Sequence, residues 1–221
     1  MNIYVKRFAS LVFGLFLFAL GTVFSIQANI GLAPWSALSA GLSNKTGLSF
    51  GNIEVITGLS IILADLALKE KVGFGTLLNA LLIGKFIDLI QWTGLIPRLA
   101  SFWPGLLMLL AGQVIVCLGS YFYIGAGLSC GPRDSLMVGL ARRLPRVPVG
   151  AIRGSIEAMA LFIGWLLGAK VGLGTVISVF GIGFILQFTF KLLRFDVRAI
   201  VHESFADTLR LKSNIPLKQQ K

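Results

Sequence analysis

The sequence predicts an all-α fold: a polytopic membrane helical bundle of about six transmembrane helices plus two short half-helices, arranged as an inverted two-fold internal repeat. Three observations carry this reading. Hydrophobic residues make up 56% of the chain and charged residues 13%, with a mean hydropathy of +0.85, whereas soluble domains carry about 25% charged residues. The apolar residues fall in runs such as Phe8 to Ile26, Trp103 to Ala126 and Val171 to Phe190, long enough for the roughly 20 residues that cross a hydrocarbon core. The second half of the chain repeats the pattern of the first. Because unpaired backbone groups are costly in lipid, and the runs lack the alternation of a barrel strand, the spans are expected to be helices.

The elements follow in order. Residues 8–30 form the first span. Its basic start and apolar stretch look like a secretion signal, but the stretch is too long and ends without a small-x-small cleavage site, so it reads as a retained helix. Gly31-Leu32-Ala33-Pro34-Trp35-Ser36 breaks the pattern, and a short helix over 34–43 follows. Proline suits a first helical turn, where its missing N–H has no helical partner. Residues 51–68 and 74–93 complete a first repeat over 8–93. The second repeat, 103–191, has spans at 103–126, 150–168 and 173–191, with the break Ser129-Cys130-Gly131-Pro132-Arg133-Asp134 opening a short helix over 132–142. The tail, 192–221, is basic and carries a partial apolar stripe of Ile200, Phe205, Leu209 and Leu211, expected as an interfacial cytoplasmic helix.

The repeat is visible residue by residue. Leu20 to Ala28 aligns with Leu118 to Ala126 at an offset of 98, Gly21 on Gly119, with a hydroxyl kept between Thr22 and Ser120. Pro34 falls on Pro132, Leu38 on Leu136 and Gly41-Leu42 on Gly139-Leu140. At an offset of 99, Gly51 falls on Gly150 and Lys71-Val72-Gly73-x-Gly75-Thr76 on Lys170-Val171-Gly172-x-Gly174-Thr175. A single near-halving with matched hydropathy marks a transporter-type duplication rather than a solenoid. The short helices reach only about 15 Å at 1.5 Å per residue, half a bilayer. Three full crossings per unit make the second copy enter from the opposite side. The rival topology, in which the short helices also cross, gives eight spans and a parallel repeat.

The net charge of +11 flanks the spans. With both termini in the cytoplasm, Lys6, Arg7, Lys69, Lys71, Arg142, Arg143, Arg146 and the basic tail lie inside, against Lys45, Arg98 and Lys170 outside. This is the positive-inside bias, and it explains the charge without nucleic acid. Both termini are thus expected in the cytoplasm, with the lipid bilayer as the first partner and a homo-oligomer left open.

The candidate site residues come from the breaks and from ionisable side chains within spans. The helix starts at Ala33, Pro34, Trp35 and Ser36, and at Gly131, Pro132, Arg133 and Asp134, aim free N–H groups and positive dipole ends inward if they dip into the membrane. Read as interfacial turns, they hold no ligand. The Asp134 carboxylate is placed to cap its own helix. Intramembrane charges point by default to a pathway or a partner: Lys85 and Asp88 three apart, Arg153 and Glu157 four apart, and Glu54 at the repeat position of Arg153. These spacings put each pair on one helix face, where the members can neutralise each other or serve in gating and proton coupling. Asn79, Gln113 and Gln187 add uncharged polarity suited to joining helices. Asp65 is expected to pair with Lys69. The two Gly-x-Gly-Thr segments follow no strand, so they read as helix-packing devices rather than phosphate loops.

Cys117 and Cys130 offer neither a disulfide scaffold nor a CxxC site, and His202 is the sole histidine. No metal, cofactor or catalytic constellation is therefore expected, which argues against an enzyme.

The Gly-Leu-x-Pro-Trp element, followed by Thr46-Gly47-Leu48-Ser49-x-Gly51, Gly73-x-Gly75-Thr76 and Gly131-Pro132-Arg133-Asp134, together resemble the YczE/YitT-type bacterial membrane proteins, the YczE side more than the YitT side. The likeness runs over most of residues 8–191 and implies an inner-membrane location and this architecture. Many relatives are expected to carry an aspartate where this chain has Ser36, matching Asp134. The leading functional expectation is a transporter or channel for an unknown small solute, with its site between the repeats. The competing expectation is a non-transporting partner or scaffold for a biosynthetic or regulatory assembly.

Overall fold

The computed structural model describes residues 3–195, with side chains from Val5 onward. Within them lie eight helices and no strand: α1 (Ile3–Gln27), α2 (Pro34–Thr46), α3 (Phe50–Ala67), α4 (Phe74–Thr93), α5 (Phe102–Gly125), α6 (Pro132–Arg143), α7 (Val149–Leu166) and α8 (Leu173–Leu192). Six are long and apolar enough to cross a membrane, and the two short ones, α2 and α6, are those the prolines open. The first helix begins and ends earlier than expected. Arg7 lies within it, held by the carbonyls of Ala126 and Gly127 at 2.6 and 3.0 Å, and Asn29, at φ 58°, stands beyond its end. The stripe of the basic tail and His202 fall outside the described residues.

The bundle is organised on α1 and α5, which cross through glycines. A Cβ on Gly119 would lie 2.7 Å from the Gly14 carbonyl oxygen, and one on Gly112 would lie 2.7 Å from that of Gly21. Since Gly14 meets Gly119 while the later Gly21 meets the earlier Gly112, the two helices run antiparallel. In lipid no hydrophobic force drives helices together, so backbone-close packing over small residues takes its place. The contacts of Arg7 to Ala126 and of Asn29 Nδ2 to the Leu99 carbonyl, at 2.9 Å, continue the same antiparallel register to both ends.

Each break has the same backbone and is held by the other half of the chain. Asn29 and Gly31 have φ 58° and 130°, while Gly127 and Ser129, at the 98-residue offset, have φ 66° and 102°. The Gly75 N–H donates to the Leu128 carbonyl at 2.7 Å, and the Gly174 N–H to the Ile30 carbonyl at 2.9 Å. The Thr76 hydroxyl donates to the Cys130 carbonyl at 2.8 Å and lies 2.9 Å from Ser129 Oγ. A Cβ on Gly31 would lie 2.8 Å from Thr175 Oγ1, so this left-handed position has room only for glycine. The Gly-x-Gly-Thr segments thus clamp the opposite break.

The short helices exchange partners in the same way. Gly41 of α2 packs against Gly164 and Leu167 at the end of α7, and Gly139 of α6 against Leu68 and Glu70 at the end of α3. The outer ends of α2 and α6 therefore lie at opposite faces of the bundle. The near face carries Lys6, Arg7, the α3–α4 link with Lys69 and Lys71, and the α6–α7 link with Arg142, Arg143 and Arg146; the far face carries Lys45, Arg98 and Lys170.

The glycine crossing predicts a contrast between two valine substitutions. Gly112→Val forces a side chain into the α1 backbone and should cost about 1–3 kcal/mol. Gly154→Val, where nothing lies within 4 Å of an added Cβ, should cost nothing. Thermal unfolding in detergent, followed by fluorescence size exclusion, distinguishes them; equal losses would remove the crossing from its organising role.

Candidate functional site

The starts of α2 and α6 converge on one cavity of about 310 Å³, lined by Ala33, Pro34, Trp35 and Ser36 from one break and Gly131, Pro132, Arg133 and Asp134 from the other. Neither helix start carries a side-chain cap. Glu54, Arg153 and Glu157 also line the cavity, as do Asn79, Gln113, Ser120, Tyr123 and Ser178.

The charges are arranged across the repeats rather than along single helices. Arg133 donates to Glu54 at 2.5 Å, and its guanidinium lies 4.6 Å from the centroid of the Trp35 ring. One residue of α6 therefore ties together the α2 start and the first turns of α3. Glu54 is 8% exposed and Arg133 30%, so the buried carboxylate depends on the partly exposed guanidinium for its neutralisation. Arg153 and Glu157 pair on α7 at 3.0 Å, as their spacing predicts, but Arg153 is 56% exposed.

Three expected pairings differ. Lys85 and Asp88 do not meet each other and do not line the cavity. Asp88 accepts from Ser49 Oγ at 2.5 Å and from the Gly51 N–H at 2.8 Å, while Lys85 donates to Asn52 Oδ1 at 2.8 Å, so both fasten α4 to the start of α3. Sequence spacing did not show this because a cross-helix backbone donor and a side-chain amide outcompete the partner three residues away. Asp65 does not pair with Lys69, whose φ of 56° turns it out of the helix; the Asp65 carboxylate is fully buried with neither oxygen hydrogen-bonded. Asp134 does not cap its own helix, whose start carries no side-chain cap; it lines the cavity together with Tyr123 of α5.

Two cavity acceptors stand out beside the two arginines that line the same space. Among the described residues, Asp134 forms no ion pair. Gln113 is 3% exposed; its Nε2 donates to Ser178 Oγ at 3.2 Å, and its Oε1 has no partner. The cavity holds three carboxylates against two guanidiniums. Tyr123 was not foreseen, because a tyrosine among the aromatics of an apolar run looks like packing; the hydroxyls of Thr22 and Ser120 appear in the repeat but satisfy carbonyls of their own helices, at 2.8 and 2.9 Å.

These features define a class: a multi-pass helical membrane protein with a largely apolar cavity into which a few charged and polar groups converge. The chain belongs to the family described as "Family of unknown function (DUF6198)", which matches residues 5–191, and it is a member of the YczE-type membrane proteins. It is 32% identical over 187 residues to the membrane protein YczE of Bacillus subtilis, covering 84% of this chain and 86% of that one. It is 30% identical over 188 residues to a protein of Haemophilus influenzae, covering 85% of each, and 28% identical over 171 residues to YyaS of Bacillus subtilis, covering 75% of this chain and 83% of that one. No solved structure matches.

Removing one member of the Glu54–Arg133 pair strands the other in a low-dielectric site. Glu54→Gln and Arg133→Gln should each lower the melting temperature, and the double variant should lose less than their sum, with a coupling of about 0.5–3 kcal/mol. Additive losses in that double-mutant cycle would show that the pair is not an energetic unit.

Proposed function

We propose that this protein is a small-solute transporter of the bacterial cytoplasmic membrane, with its substrate site in the cavity between the α2 and α6 starts. One observation carries the reading: two proline-started half-helices from opposite faces of the bundle bring their first turns to a single cavity where charged side chains converge. The antiparallel α1–α5 crossing and the exchanged clamps support an inverted repeat, the architecture in which midplane sites form from broken helices. The basic near face supports a cytoplasmic placement of both termini.

The leftover acceptors set the solute class. With Glu54 and Glu157 engaged by arginines, Asp134 and Gln113 Oε1 favour a group that donates hydrogen bonds and carries positive charge. A protonated amine fits both. The first-turn N–H groups of α2 suit an acceptor at the other end of the solute. The preferred solute is thus a small amine-bearing, polar molecule.

A thermal-shift panel of small primary amines, amino acids and amine-free carboxylates tests this. Amine-bearing compounds should stabilise the wild-type protein, by about 2.7 kcal/mol at a hundred times Kd, and the same compounds should accumulate in proteoliposomes. Asp134→Asn should abolish both effects. Stabilisation by the amine-free carboxylates alone would reverse the solute class, and uptake no greater than in empty vesicles would remove the transport assignment.

A further inference from the structure

The two halves place their glycines alike and use them differently. In α3 and α4, Gly51 and Gly84 press backbone to backbone: a Cβ on either would run into the carbonyl oxygen of the other. Asp88 with Ser49 and the Gly51 N–H, and Lys85 with Asn52, latch this seam at the far-face end of the cavity. At the 99-residue offset the counterparts of Gly51 and Gly84 are Gly150 and Gly183. Nothing lies within 4 Å of a Cβ built on either one. α7 does not pack along α8 as α3 packs along α4. The result shows in the paired positions Glu54 and Arg153, which are 8% and 56% exposed.

A glycine inside a helix costs about 1 kcal/mol relative to alanine, and a close neighbour is the usual compensation. Gly150 and Gly183 have none in this arrangement. Gly154, likewise open, matches Val55, whose Cγ2 would lie 2.9 Å from a Cβ on Gly84. All three sit where a closed α7–α8 seam would use them.

We infer that the α3–α4 and α7–α8 seams are the two gates of the cavity and that they close in turn, Gly150 coming against Gly183 as Gly51 stands against Gly84. This rests on the transport reading. The structure is the state closed at the far face and open at the near face. On closure of the near gate, Gln187, at the repeat position of Asp88, accepts from the Gly150 N–H, and the α3–α4 latch releases.

Disulfide trapping tests the exchange without a known solute. In a background with Cys117→Ala and Cys130→Ala, Asn52→Cys with Lys85→Cys reports the far gate, and the repeat counterparts Ala151→Cys with Phe184→Cys report the near gate. Each pair should cross-link within one chain under mild oxidant in membranes. In the protein carrying all four cysteines, linked peptides should show one bridge or the other in a given molecule, never both. Gly183→Leu fills space that is open in this state, so it should leave the fold intact, abolish the near bridge and drive the far bridge towards completion. A near pair that never links within one chain, or links only between copies, while the far pair does would overturn the inference, as would both bridges in one molecule. Exclusive bridges in a protein whose vesicles take up no amine would sustain the gates and sink only the transport reading.

Discussion

The architecture depends on one contact, the antiparallel crossing of α1 and α5 over Gly14, Gly21, Gly112 and Gly119. Lipid tails are as apolar as leucine, so these helices gain little from hiding apolar surface and much from backbone-close van der Waals packing. Glycines seven residues apart on each helix allow that approach at two levels and fix the register. With the register fixed, the break after α1 lies at the far face and the break after α5 at the near face. Each short helix then starts within the bundle and returns to the face its break came from. The cavity is the space that two such inward starts leave around a tightly closed central pair.

The scaffold repeats while the chemistry does not. Positions that shape the backbone agree across the halves: the prolines at 34 and 132, the clamping glycines and threonines, and the left-handed residues before each proline. Positions that face the cavity diverge: Trp35 against Arg133, Ser36 against Asp134, Glu54 against Arg153, Asn79 against Ser178. Divergence is what allows neutralisation. Two copies of Glu54, or two of Arg133, would put like charges in one low-dielectric space, whereas the mixed set permits Arg133 to meet Glu54 and to stack on Trp35. A backbone that pairs with itself thus encloses a cavity whose two ends differ chemically.

Most of this scaffold was legible in the sequence. Span lengths, the two proline breaks and the glycine pattern are set by bilayer thickness and backbone geometry, which act locally. The cavity was legible in part: the residues at both breaks, Glu54, Arg153 and Glu157 follow from the rule that charge within a span needs a reason. Partners were harder to read. Asp88 and Lys85 look like a pair along one helix, but cross-helix packing offers them Ser49, the Gly51 N–H and Asn52 instead. Tyr123 gives no local signal, since only the α5–α6 turn brings it to the cavity it shares with Asp134. Asp65 stands at the repeat position of Gly164, which lets α2 approach α7; nothing in the structure accounts for a fully buried, unpartnered carboxylate at the matching α3 position.

The inequality of the two gates has an energetic consequence. Hydrogen bonds to charged groups contribute about 1.5–3 kcal/mol each, and neutral ones about 0.5–1.5 kcal/mol. The far gate is fastened by Asp88 and Lys85, whereas the near gate has Gln187 and Phe184 in their places. On the proposed gating, the far seam is thus the more strongly fastened of the two, as in this structure. A solute can shift that balance only by binding the other state more tightly. On the proposed gating, the group able to supply most of the difference is Arg153, 56% exposed here, because closing α7 against α8 would remove its water and strengthen any contact with a solute.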